Sequence, residues 1–265
     1  MKTGIVLSGG GIRGIAHLGV LKALKEAGIV FDKISGTSAG SIVGALFAQG
    51  IDPYEILQLF LKTRLIKFIR PSIGVSGLLS MENTTSLFKE YLPHNSFSGL
   101  KIPLSITTTN FSQGKIVYFS SGNLIQAIQA SSSIPGIFKP IIINNEMFVD
   151  GGVLNNFPIE PLQKDCDFII GSACNHLAEV NKITHFRKLI ERAAIMSINA
   201  DMEMKCNLCD VLIEPKGLGE ISVFDTKKAE EIYWLAYEET LKKLQSDEKL
   251  KMLINKTQLK QKSRN

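Results

Sequence analysis

The chain has 265 residues, 45% of them apolar and 21% charged, a balance that excludes a disordered or fibrous chain and suits a single globular domain with a large core. Its net charge of +5 is local: residues 249–265, KLKMLINKTQLKQKSRN, hold five lysines, one arginine and no acid, and without their +6 the first 248 residues stand at −1. A nearly neutral body excludes a general nucleic-acid binder, so one domain over 1–248 is expected, followed by a basic tail over 249–265 that is either solvated and frayed or an anchor to anionic lipid.

The opening MKTGIVLSGGGIRG meets glycines after a short apolar run, and no apolar stretch approaches the ~18 residues of a membrane span, so a cytoplasmic protein is expected. GIVLS (4–8) reads as a first strand, buried on both faces. Residues 14–27 then place Ile15, Leu18, Val20, Leu21 and Leu24 on one helical face, and Gly28 closes that helix. VFDKIS (30–35) is a second strand, Ser41 to Gln49 a helix of small and apolar residues, and Asp52-Pro53 opens another. Further strands are predicted near 103–110, 115–120, 141–149, 167–172 and 210–213, and helices over 122–131, 184–205 and 225–246. Residues 70–100, with Pro71, Gly74, Gly77, Pro93 and Gly99, read as a loop excursion of the kind that covers sites. Strands alternating with helices predict βαβ units and a mainly parallel sheet. Cys166, Cys174, Cys206 and Cys209 suit reduced thiols; Cys206 and Cys209 form a lone C-x-x-C without a second ligand pair, so no metal is expected.

Two turns carry chemistry. Gly36-Thr37-Ser38-Ala39-Gly40 sets a serine between a strand and a small-residue helix, the setting of a nucleophile elbow. Gly9-Gly10-Gly11-Ile12-Arg13-Gly14 satisfies G-x-G-x-x-G after the first strand. A dinucleotide site would need an acid at the end of the second strand, where the chain has Ser35-Gly36; Glu26 and Asp32 are misplaced for it. The other reading is an anion hole of converging backbone N–H groups at a helix N-terminus, binding the oxyanion that attack by Ser38 creates. Both turns are expected to leave the carboxyl edge of a parallel sheet, where they can share one crevice. Arg13 reads equally as an orienting residue, a phosphate contact or a surface arginine.

The serine needs a base. Among His17, His94, His176 and His185, only His176 is placed for the order serine, acid, histidine. Asp150 in MFVDGGVLNNFP is the better supported: an apolar strand ends at it, Gly151 and Gly152 permit a sharp turn, and desolvation raises the basicity of a buried carboxylate. Taken alone, the same residues also read as a turn capping the strand.

The three motifs in this order, with AIQASSSIPGIFKPI (127–141) and FVDGGVLNNFP including Asn156 and Pro158, resemble the signatures of patatin-like phospholipases over residues 4 to about 160. The resemblance implies a three-layer α/β/α sandwich with a mainly parallel central sheet. It also implies Ser38 as nucleophile and Asp150 as its base, with no histidine. Gly9, Gly10, Gly11, Ile12, Arg13 and Gly14 would form the oxyanion hole, through amides around Gly10, Gly11 and Arg13. The implied reaction is hydrolysis of phospholipid or lysophospholipid acyl esters through an acyl-enzyme, with no cofactor. An acyltransferase using an alcohol in place of water is an alternative, and a nucleotide-binding module using only the glycine loop is a third. Residues 56–70, ILQLFLKTRLIKFIR, combine apolar and basic side chains with no acid between Glu55 and Glu82. They read either as an interfacial lid on anionic headgroups or as a core helix with snorkelling lysines.

Overall fold

A computed structural model describes residues 1–63, 70–71, 79–180, 182–183 and 185–262. Its strands in chain order are β1 (Thr3–Leu7), β2 (Lys33–Thr37), β3 (Arg70–Pro71), β4 (Leu79–Ser80), β5 (Leu104–Asn110), β6 (Lys115–Phe119), β7 (Ile141–Ile143), β8 (Glu146–Asp150), β9 (Phe168–Ser172) and β10 (Val211–Ile213). The helices are α1 (Ala16–Glu26), α2 (Ala39–Gln49), α3 (Pro53–Thr63), α4 (Thr85–Tyr91), α5 (Leu124–Ser131), α6 (Glu160–Gln163), α7 (Phe186–Ile198), α8 (Met202–Cys206), α9 (Ala229–Ser246) and α10 (Glu248–Lys262).

The main sheet runs β10-β9-β1-β2-β5-β8-β7, with β6 also paired to β5. Neighbours from β10 to β5 are parallel, whereas β6, β7 and β8 pair antiparallel. Period-two alternation decides what each strand face meets. Ile5 and Leu7 of β1 enter a core shared with α1, α2, α3, α5, α9 and α10, while Val6 enters a second core with Phe157, Ile159, Leu162 and Met202. Helices therefore cover both faces of a mixed, largely parallel sheet, the α/β class that the alternation predicts.

Several elements differ from the sequence reading for local reasons. The run 141–149 is a hairpin, because Asn144 and Asn145 adopt φ of 50° and 64°, values asparagine tolerates in a tight two-residue turn. The helix expected over 184–205 breaks into α7 and α8, and the excursion at 70–100 contains α4, which buries Leu87 and Phe88. Strand β2 starts at Lys33, not Val30, which is exposed. The basic stretch is helical over 249–262, and α10 buries Leu250 and Leu253 in the main core. Helix α3 buries Ile56 and Leu57 completely, which favours a packed helix for its residues; 64–69 of the segment read as a lid lie outside the described residues. Among the described residues, no helix is long and apolar enough to cross a membrane.

Candidate active site

Strand β2 ends at Thr37 and α2 begins at Ala39, leaving Ser38 alone to turn the chain. It does so at φ 52°, ψ −122°, a conformation that costs a non-glycine residue about 1–3 kcal/mol and persists only where its surroundings impose it. Here Ser38 N–H donates to Ser131 Oγ (2.8 Å), which donates onward to Thr107 O (2.7 Å). Ser38 O accepts from Ser41 N (2.9 Å) and Ser41 Oγ (2.7 Å), tying the turn into α2. Gly40 lets the helix start against β1, since a Cβ there would lie 2.3 Å from Leu7 O.

Asp150 comes to the same point from the other side of β5. Thr107 pairs with Thr37 and Thr108 with Asp150, so the antiparallel strand β8 delivers its last residue beside the elbow. Ser38 Oγ donates to Asp150 Oδ2 at 2.6 Å, and Gly152 N–H donates to Asp150 Oδ1 at 2.7 Å. The carboxyl is buried, and burial pushes its pKa up to about 6 against the opposing effect of these two hydrogen bonds.

The glycine turn faces the pair. Gly9 lies close enough to Ser38 that a Cβ on it would meet Ser38 Cβ at 3.2 Å and Asn156 Oδ1 at 2.3 Å. Gly9 N–H donates to Asn156 O (3.1 Å), Ile12 N–H to Val223 O (3.0 Å) and Arg13 N–H to Gly10 O (3.2 Å). The amides of Gly9, Ile12 and Arg13, predicted to belong to an anion hole, are thus engaged within the protein. Gly14 packs on Ala39, where a Cβ would meet the Ala39 Cβ at 2.4 Å. Gly10 and Gly11 line the crevice, and neither N–H has an acceptor among the described residues. The Gly9 carbonyl is held from behind by Asn175 Nδ2 (2.7 Å), Cys174 Sγ (3.4 Å) and Asn156 Nδ2 (3.5 Å). In a planar trans peptide, anchoring that carbonyl aims the Gly10 N–H the opposite way.

Arg13 is a strut. Its guanidinium donates to three backbone carbonyls, Ile221 O (2.6 Å), His176 O (3.2 Å) and Gly219 O (3.3 Å), which fits the orienting role. His17 is buried, bonded to Ser172 Oγ (2.7 Å) and Ser8 O (2.8 Å), and burial pushes its pKa down to about 4. His176 pairs with Glu214 (3.4 Å). Among the described residues, no histidine lines the crevice.

That crevice has a volume of about 550 Å³, and its walls beyond Ser38 and Asp150 are largely apolar: Ile134, Pro135 and Ile137, Val153, Phe186 and Ile190, and Phe224. Cys206 and Cys209 lie in the second core, their thiols pushed up to about 12 by burial. Asn175, Cys174 and Ser131 support the site without belonging to any of the three motifs. A signal for the first two exists, because they follow β9 at the same carboxyl edge from which the two catalytic-looking turns emerge.

The chain is similar in sequence and in fold to known proteins. The chain is 33% identical over 163 residues to an uncharacterised NTE family protein of Mycobacterium tuberculosis, covering 61% of this chain and 45% of that one. It is 35% identical over 167 residues to lysophospholipase nte1 of Aspergillus fumigatus, covering 60% of this chain and 11% of that one. The chain therefore spans less than half the length of these relatives. Among solved structures, VipD from Legionella pneumophila matches at a TM-score of 0.54 and 16% identity, over 92% of this chain and 67% of that one, which is a likeness of fold. The profile of patatin-like phospholipases matches residues 5–162, the stretch that holds the glycine turn, the serine elbow and Asp150, and the chain belongs to that family.

Proposed function

We propose that the chain is a serine acyl hydrolase that cleaves fatty-acyl esters of phospholipids or lysophospholipids, with Ser38 as nucleophile and Asp150 as its base. The observation that carries this reading is the 2.6 Å hydrogen bond from Ser38 Oγ to a buried carboxylate at the floor of an apolar crevice. Asp150 Oδ2 takes the Ser38 proton as Oγ attacks the ester carbonyl. The carbonyl oxygen becomes an oxyanion, stabilised by the N–H groups of Gly10 and Gly11. Collapse expels the alcohol, which takes its proton from Asp150 and leaves the acyl group on Ser38 Oγ. A water then gives its proton to Asp150 and attacks the acyl carbon; the fatty acid departs and the proton returns to Ser38. No metal or organic group is needed for these steps. The lysophospholipase name of the Aspergillus relative supports the substrate class, as does the apolar lining, which suits an acyl chain.

The experiment is release of fatty acid from lysophosphatidylcholine by the wild type and by Ser38→Ala. Release by the wild type that Ser38→Ala abolishes, with melting behaviour retained, supports the reading. Undiminished release by the variant contradicts it.

A further inference from the structure

Helix α7 is amphipathic in the reverse sense. At 100° per residue, Phe186, Leu189, Ile190, Ala193 and Met196 fall on one stripe about 120° wide. That stripe faces outward: Phe186 is 79% exposed, Leu189 51%, Ile190 52% and Met196 54%. The opposite face holds the helix to the protein. Ile195 is buried, and Glu191 Oε1 accepts from Ser222 Oγ (2.8 Å) and Val223 N (2.9 Å). A helix that turns its apolar stripe to water calls for a second apolar phase against it.

The stripe is continuous with the crevice. Phe186 and Ile190 line the space above Ser38 and are also more than half exposed, so they form its lip. Val153 and Phe224 lie in the same lining, at 42% and 44% exposed, and Leu154 extends the surface beyond it. No charged side chain interrupts the stripe; the nearest, Arg192, lies to its flank and donates to Ala178 O (2.9 Å).

We propose that the outward face of α7, with Val153, Leu154 and Phe224, is the surface by which the protein seats on a lipid aggregate, a bilayer or micelle, with the crevice opening into it. The proposal rests on the acyl-hydrolase reading for its choice of occupant. An acyl chain leaving such an aggregate crosses from one apolar surface to the Ser38 crevice without passing through water. Helix α7 then lies in the interface plane, as amphipathic helices at membranes do. Attachment is chiefly apolar, which distinguishes it from the electrostatic anchoring suggested by the basic segments 56–70 and 249–265. It should therefore persist when salt is raised.

The test is flotation with phosphatidylcholine vesicles, with and without phosphatidylglycerol, of the full chain, Ser38→Ala, and the double variant Leu189→Glu/Met196→Glu. Neither Leu189 nor Met196 lines the crevice, so hydrolysis of a monomeric short-chain nitrophenyl ester reports an intact site in the double variant. The wild type and Ser38→Ala should float equally, in high salt as in low. The double variant should partition at least about tenfold less, and should lose hydrolysis of vesicle lipid while keeping that of the monomeric ester. Equal flotation of the double variant and the wild type overturns the proposal. So does a wild type that never floats, or one that sediments as a dimer dispersed by the two substitutions, since a second copy then covers the stripe. Absence of all ester hydrolysis with flotation intact would sink the catalytic reading and leave the surface standing.

Discussion

In the proposed mechanism Asp150 is the base, and a carboxylate accepts a proton only when ionised. With its pKa raised to about 6 by burial, kcat/KM for a monomeric ester should climb through about pH 6 and level off above it. Asp150→Asn keeps the shape and removes the base, so turnover should fall by about 100- to 10,000-fold. The same burial acts on stability. Between the ordinary value of 3.8 and about 6, the folded state binds a proton that the unfolded state has released, so this residue's contribution falls as pH rises through that window. The Tm of Asp150→Asn relative to wild type should therefore increase from about pH 4 to about pH 8, and a constant difference would argue against a desolvated carboxylate. Ser38, Asp150 and the glycines were legible in the sequence because strand-to-turn boundaries leave a local signature. Asn175 was not, since its role, holding the Gly9 carbonyl at 2.7 Å, depends on a strand pairing that spans most of the chain. Its loss in Asn175→Ala should lower kcat by about tenfold or more with less change in KM, as a misaimed oxyanion donor would.

At the scale of elements, the alternation of strand and helix was readable because both faces of the parallel strands are buried and their apolar runs are unbroken. What escaped were features decided by neighbours. The hairpin over β7 and β8 needs two asparagines at positive φ, and α10 was masked by its own lysines. Yet Leu250 is completely buried and Leu253 nearly so, at a spacing that places both on one helical face. Leu250→Ala should destabilise the fold by about 2–5 kcal/mol, read as a lower denaturation midpoint. A midpoint unchanged within error would return 249–262 to the status of a solvated tail. The elbow makes the complementary demand at Gly40, where no Cβ fits against Leu7 O. Gly40→Ala should cost about 1–3 kcal/mol by overpacking, with the helix start pushed away from β1.

Across the whole molecule, two buried titrating groups pull stability in opposite directions. His17 is neutral in the fold, with its pKa lowered from 6.5 to about 4 by burial. The unfolded chain binds a proton there that the folded state refuses, so stability is lost as pH falls through that window. In the Asp150→Asn background, where the opposing titration is absent, Tm should fall as pH is lowered from about 6.5 towards about 4. The sheet brings the ends of β1, β2 and β9 to one edge and lets β8 enter from the opposite direction, which is how residues 112 positions apart in sequence share a hydrogen bond. The central claim is that this pair makes Ser38 a nucleophile, and the most direct measurement is fluorophosphonate labelling followed by mass mapping of the modified peptide. The account predicts a single adduct on Ser38, formed fast above about pH 6, absent in Ser38→Ala and strongly slowed in Asp150→Asn. An adduct on another residue, or labelling of Ser38 that proceeds unchanged in Asp150→Asn, would contradict it.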